Sequence, residues 1–221
     1  MVAKEMLSEV IPSLRTSDTG QTALNWMDIF KVSHLPIVND KELLGLIGES
    51  DIYDLNMPEE PLGNHQLSLF RPYVLYHQHV FEIMELASRL KLSVIPVLDD
   101  AKMYLGVITI PDLLHYFTSF SALTSPGSIL VLEVNYNNYS LSQITQIIEG
   151  NNARILGVCI STIPDTTQME LTIKLNVTDI TSINQAFNRY GYTVIGTYMK
   201  HDDEEELMEK RYNLLMKYLS I

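Results

Sequence analysis

Ser93-Val94-Ile95-Pro96-Val97-Leu98, followed by Gly106-Val107-Ile108-Thr109-Ile110-Pro111-Asp112-Leu113, decides the fold because it is the second writing of one phrase. The first writing is Ser33-His34-Leu35-Pro36-Ile37-Val38, then Gly45-Leu46-Ile47-Gly48-Glu49-Ser50-Asp51-Ile52. The copies lie 60 residues apart, and the Gly-to-Asp spacing is identical in both. The stretch between Pro and Gly is one residue longer in the second. A long period seen twice points to a paired module rather than an open array. A duplicated unit with Gly and Asp at its strand-to-helix turn can close a pseudo-symmetric cleft.

The flanking sequence repeats in the same order. Ala23, Leu24, Met27 and Phe30 recur at helical spacing, as do Val80, Ile83, Met84, Ala87 and Leu90. Strands are predicted at 35–38 and 43–47, then at 94–98 and 104–109, with turns at Asn39-Asp40 and Asp99-Asp100. Pro58 and Pro61 break the first copy's last helix, and Pro111 suits the first turn of the second's.

Beyond Thr124-Ser125-Pro126-Gly127 the pattern changes. Strands are expected at 129–134, 155–163, 169–177 and 192–199. Ser140-Leu141-Ser142-Gln143 reads as a capping box opening a helix that ends near Gly150, and Asp179 or Thr181 caps another to Tyr190. The order β-α-β-β-α-β is the ferredoxin-like split βαβ arrangement. The tail from Asp202 opens with five acids and carries Leu207, Met208, Leu214, Leu215, Tyr218 and Leu219 as a broad apolar side. It is expected to be an amphipathic helix, packed on its own domain or used as a dimer contact. The fold class is α+β: a tandem pair at 1–122 (repeat one about 1–56, repeat two about 65–122), a domain at 128–200, and the helix at 201–221.

The net charge is −12, with −8 over residues 1–125 and −4 beyond, so a basic groove for nucleic acid is not expected. No apolar run reaches membrane-spanning or signal-peptide length. Cys159 is the single cysteine, which fits a reducing cytoplasm, and its apolar strand suggests a core position.

The chemistry centres on Thr109-Ile110-Pro111-Asp112. An ionised carboxylate only accepts hydrogen bonds, so it suits a vicinal diol such as ribose, not a phosphate. Gly106 would let a ligand approach the backbone. The same Thr-x-x-Asp string also serves simply to cap a helix. In the first copy Asp51 remains but Gly48 replaces the hydroxyl, which predicts weaker ribose binding there or none.

Both copies resemble CBS motifs, which occur in tandem and pair into a Bateman module. The marks are an apolar strand with Pro-Val, Gly before a second strand, and Thr/Ser-x-x-Asp at the next helix. Only the first copy's hydroxyl is missing. The resemblance covers roughly Ile11 to Phe117. It implies an adenosyl ligand such as AMP, ADP or ATP between the repeats. By position, Thr109 and Asp112 would hold the ribose, with Asp51 in the other site. Ser93, Val94, Ile95 and Pro96, with Ser33, His34, Leu35 and Pro36, would line the adenine slots. The C-terminal domain resembles an ACT domain through its strand order and Gly157. That likeness implies an amino-acid ligand at the loop holding Asn135, Asn137 and Asn138, and side-by-side association. The layout is similar to acetoin-utilisation-type CBS proteins.

Arg15, Arg71, Arg89 and Lys91 are the candidates for phosphate contact, with Mg²⁺ as a possible bridge. His77 and His79 lack further ligands at metal-site spacing, so no metal is expected. No nucleophile elbow, P-loop or zinc-protease motif occurs, and Trp26 reads as packing. The expectation is a cytoplasmic, non-catalytic regulator that senses adenine nucleotide, with no required cofactor. A homodimer and an unidentified protein partner are expected; nucleic acid and membrane are not. The alternative is a dimerisation or interaction scaffold with vestigial sites.

Overall fold

Two threefold-spaced apolar stripes become two long helices because each has a cap at its start. Helix α1 (Gly20–Phe30) begins at Thr19, whose hydroxyl accepts the Thr22 N–H at 3.1 Å. The computed structural model describes residues 1–54, 58–65, 69–119 and 121–199, and the helix expected from Asp202 lies outside them. The chain divides into two compact units, Met1–Phe117 and Thr118–Ile221.

In the first unit, α1 is followed by β1 (His34–Asn39), β2 (Glu42–Gly48) and α2 (Glu49–Tyr53). The second repeat runs β3 (Val74–Leu75), α3 (Val80–Leu90), β4 (Val94–Leu98), β5 (Tyr104–Thr109) and α4 (Ile110–Phe117). Helix α3 starts at His79, whose ring accepts the Phe81 N–H while Glu82 accepts the His79 N–H at 3.2 Å. Both long helices stop at a left-handed lysine, Lys31 (φ 55°) and Lys91 (φ 52°), where glycine is the usual residue.

Each repeat carries one antiparallel hairpin, β1–β2 and β4–β5. Strand β3 adds in parallel to β4, and Leu14 makes the matching single bridge to Ile37. Leu35, Ile37, Ile47, Ile95, Val97 and Ile108 are fully buried in one core shared by both repeats. Trp26 packs against that core, as its sequence suggested.

The glycines inside β2 and β5, Gly45 and Gly106, admit protein, which corrects the expectation that Gly106 makes room for a ligand. Gly106 (φ 152°) faces Leu7, and the Ser8 N–H reaches the Val107 carbonyl at 2.8 Å. Gly45 (φ 157°) faces Leu69 and the Phe70 carbonyl, which accepts the Leu46 N–H at 2.9 Å. The lead-in to each repeat therefore pairs with the other repeat. A side chain at either glycine would be strained and obstructed.

The second unit comprises α5 (Ser121–Thr124), β6 (Ile129–Asn135), α6 (Leu141–Glu149), β7 (Ile155–Thr162), β8 (Gln168–Leu175), α7 (Thr181–Arg189) and β9 (Thr193–Tyr198). Its four strands form one antiparallel sheet in the order β7-β8-β6-β9. Alternation along β8 buries Met169, Leu171, Ile173 and Leu175 in a core with Ile144, Ile148, Ile183 and Phe187 of the two long helices. The architecture of the chain is α+β.

Three sequence expectations change in this unit. Ser140 does cap α6, accepting the Gln143 N–H at 3.4 Å. The Gln143 side chain, however, accepts the Tyr192 hydroxyl at 2.9 Å instead of reaching back. Neither Asp179 nor Thr181 is the N-cap of α7: Ile180 holds that place, and Asp179 before it accepts the Thr181 N–H at 2.9 Å. Cys159 is exposed, because it sits opposite Thr172 on the sheet face away from the helices, on an edge strand. Gly157 has a packing role: a Cβ there would lie 2.6 Å from the Ala122 Cβ on α5. Among the described residues no helix is long and apolar enough to cross a membrane.

Candidate functional site

The two repeats meet through the residues that begin β1 and β4. The Ser93 hydroxyl oxygen accepts the Ser33 N–H at 3.0 Å and lies 3.0 Å from His34 Nδ1. Nδ1 also accepts the Ser93 N–H, at 3.4 Å. Two donors converging on Nδ1 assign the ring proton to Nε2. Burial pushes the His34 imidazole below its ordinary pKa, against the opposing pull of Asp51 and Glu49. The ring is therefore neutral near pH 7 and holds the seam as an acceptor.

The seam serines also hold the two strand-to-helix turns. The Ser33 carbonyl accepts the Glu49 N–H at 3.2 Å, and the Ser93 carbonyl accepts the Ile110 N–H at 3.4 Å. Antiparallel register then sets His34 opposite Gly48 and Val94 opposite Thr109. One backbone frame thus brings Ser33, His34, Ser93 and both strand-to-helix turns together.

In the second repeat, the Thr109 hydroxyl donates to Asp112 Oδ2 at 2.6 Å and accepts the Asp112 N–H at 3.1 Å. This is a capping arrangement, but it consumes only one carboxylate oxygen. Thr109 is buried (7 % exposed), and Asp112 is half-buried. A half-buried carboxylate, oriented by a hydroxyl and with acceptor capacity left over, suits a neutral diol.

In the first repeat, Asp51 Oδ2 accepts the Gly48 N–H at 2.8 Å, and the carboxylate is exposed. The space a Gly48 Cβ would take lies 3.4 Å from Asp51 Oδ2, and 3.5 and 3.7 Å from His34 Cδ2 and Nε2. An imidazole edge occupies the neighbourhood that a threonine side chain fills in the second repeat.

The proposed adenine-slot residues divide in two. Ser33 is exposed, and His34 and Ser93 are half-buried. Leu35, Val94 and Ile95 are fully buried, and Pro36 and Pro96 are buried beside them. The side chains of Leu35, Val94 and Ile95 belong to the core. Alternation fails as a guide here because these strands are buried on both faces.

The phosphate candidates do not converge. Arg89 pairs with Glu85 at 2.8 Å, and Arg71 with Glu42 at 3.5 Å and the Leu43 carbonyl. Lys91 is the exposed end of α3. Arg15 lines a hollow of about 570 Å³ with Ser13, Asn39, Asp40, Lys41 and Tyr104, at the hairpin-turn end of the unit. The sequence reading missed Lys41, whose signal was only a charged turn residue. His77 lies 3.5 Å from Asp100, and His79 is spent on the α3 cap. In the second unit a hollow of about 290 Å³ is lined by Glu133, Asn135, Asn138, Gln143, Tyr190 and Tyr192, among others. Asn137 is not in its wall; its N–H is turned to the Asn135 side chain at 3.0 Å.

Comparison with known proteins follows this division. The CBS domain family matches two stretches of the first unit, residues 3–57 and 71–119. Among solved structures, a CBS domain pair/ACT domain protein from Thermotoga maritima is 18 % identical. The match covers 54 % of this chain and 98 % of that one, with a TM-score of 0.48. CBSX2, solved with AMP, is 17 % identical over 53 % of this chain and 96 % of its own, with a TM-score of 0.46. The CBS domains of a transcriptional regulator from Streptococcus pneumoniae are 18 % identical over 52 % and 98 %, also at 0.46.

Proposed function

We propose that this tandem CBS pair binds an adenine nucleotide and reports it by a change in how its two repeats are disposed, with no catalytic centre of its own. The observation that carries the reading is the Thr109–Asp112 pair. Its hydroxyl orients a half-buried carboxylate at 2.6 Å and leaves an oxygen for a ribose diol. Ser93, one backbone bond away through the Ile110 N–H, belongs to the seam with Ser33 and His34. A ligand at Asp112 therefore touches the element that joins the repeats. Such a ligand shifts the population toward whichever seam geometry it binds better.

The cations bear on the choice of nucleotide. Arg71 and Arg89 are paired with acids and Arg15 lies toward the hairpin turns, which leaves Lys91 at the end of α3; AMP is therefore favoured over ATP unless Mg²⁺ accompanies the longer phosphate chain. The C-terminal unit is read as an ACT-like, ferredoxin-type domain spanning 128–200, followed by a helix at 201–221; the strand order supports that reading. It would receive the signal, pass it to a protein partner, or assemble a cytoplasmic homodimer.

Asp112→Ala should weaken AMP binding roughly ten- to a hundredfold by calorimetry, through loss of charge-assisted hydrogen bonds. An unchanged affinity removes the ribose role. The second reading is a scaffold with vestigial sites, favoured by the burial of Leu35, Val94 and Ile95. No thermal stabilisation by AMP, ADP or ATP at concentrations far above micromolar would leave the scaffold as the better account.

A further inference from the structure

The first repeat lacks the motif hydroxyl, yet it is not simply a damaged copy. His34 makes two hydrogen bonds, both on Nδ1 and both to Ser93. This fixes the ring and turns its Nε2–H edge toward Gly48 and Asp51. The site of the absent Gly48 Cβ lies 3.7 Å from Nε2 and 3.4 Å from Asp51 Oδ2, so the donor and the acid share one neighbourhood. No hydrogen bond engages Nε2 among the described residues. In the second repeat Val94 stands at the histidine's position, and Thr109 supplies the polar atom from the opposite strand.

We propose that His34 does in the first repeat what the Thr109 hydroxyl does in the second: its Nε2–H and the Asp51 carboxylate together hold a nucleotide's ribose diol. The polar group has moved across the hairpin, from the residue ending β2 to the residue beginning β1. A donor beside an acceptor matches a diol better than a carboxylate alone, because a hydroxyl both gives and takes a hydrogen bond. The pair then takes two nucleotides per chain, and the first site is wired directly to the seam, since the same ring bonds Ser93. Glu49, which together with Asp51 acts on the ring, adds negative charge and favours nucleosides and monophosphates there.

This inference rests on the nucleotide reading of the pair, and calorimetry with AMP separates the two. Wild type should bind two AMP per chain, and Asp112→Ala should leave one. Adding His34→Asn keeps an acceptor where Nδ1 stands but removes the Nε2–H, and should weaken the remaining site at least tenfold with little change in melting temperature. Adding His34→Val with Gly48→Thr instead writes the second repeat's chemistry into the first and should restore it. In Asp112→Ala, AMP should also shift the His34 ring Nε2–H resonance, a readout that needs no substitution at His34. If wild type binds one AMP and Asp112→Ala none, His34 has no such role while the nucleotide reading stands. If wild type binds no AMP, both fall. An unmoved His34 resonance, or equal affinity with Asn at 34, also overturns the proposal.

Discussion

The first repeat sets His34 opposite Gly48; the second sets Val94 opposite Thr109. The frame around these pairs is the same in both: a seam serine, a returning carbonyl bond to the helix start, an aspartate three residues on, and a positive-φ glycine upstream. The lesson is that the backbone was duplicated while the chemistry diverged. What binds in each half depends on which strand carries the polar side chain.

The largest test of the comparison is at the glycines. A Cβ on Gly45 would come within 2.6 Å of the Leu69 Cβ and 2.9 Å of the Phe70 carbonyl, neither of which can move freely. On Gly106 it meets the tip of Leu7 at 3.3 Å and, more loosely, the Ser8 carbonyl at 4.0 Å. Gly45→Ala should therefore cost roughly 3 kcal/mol and Gly106→Ala roughly 1–2 kcal/mol, from backbone strain plus overpacking. Urea denaturation reads both, and equal losses would mean the two lead-in segments are held alike.

Between about pH 7 and pH 5, acid should act on the first repeat through His34. Burial holds the folded-state pKa of His34 below its ordinary value, so the unfolded chain binds the proton better. The stability this contributes is complete above about pH 6.5, and it is lost as pH falls below that value toward the folded pKa. Protonated Nδ1 would also confront the Ser93 N–H. His34→Asn should flatten the slope of unfolding free energy between about pH 7 and pH 5. An unaltered slope would assign the acid sensitivity to other groups.

The smallest effect should be the most symmetric. Lys31 and Lys91 both end helices in the left-handed region. Glycine at either place should add about 0.5 kcal/mol, the relieved strain less the extra unfolded-state freedom. Lys31 also pairs with Asp28 at 2.7 Å, an exposed contact, so a gain at 31 smaller than at 91 would measure that ion pair.

The sequence made legible whatever depends on near neighbours. The duplicated frame, the hairpins, the stripe Val80-Ile83-Ala87 and the Thr109-to-Asp112 spacing were all visible, since periodicity and turn chemistry act over a few residues. Cys159 was misplaced because an apolar strand does not declare which face is covered. That Leu35 and Val94 are fully buried was not legible, because family position identifies the strand and not its burial. Gly106 was given a ligand when its neighbour is Leu7, nearly a hundred residues earlier.

By itself, then, the chain's order determined two copies of a strand–turn–strand–helix unit, a β-α-β-β-α-β segment after them, and an acid at each helix start. Only the tertiary structure decided that His34 and Ser93 share a hydrogen bond, that the lead-ins exchange repeats, and that the Thr109 hydroxyl faces Asp112 while an imidazole edge faces Asp51. The reason is distance along the chain. Local propensities select elements, whereas contacts between residues some sixty positions apart form only when packing of the shared core brings them together.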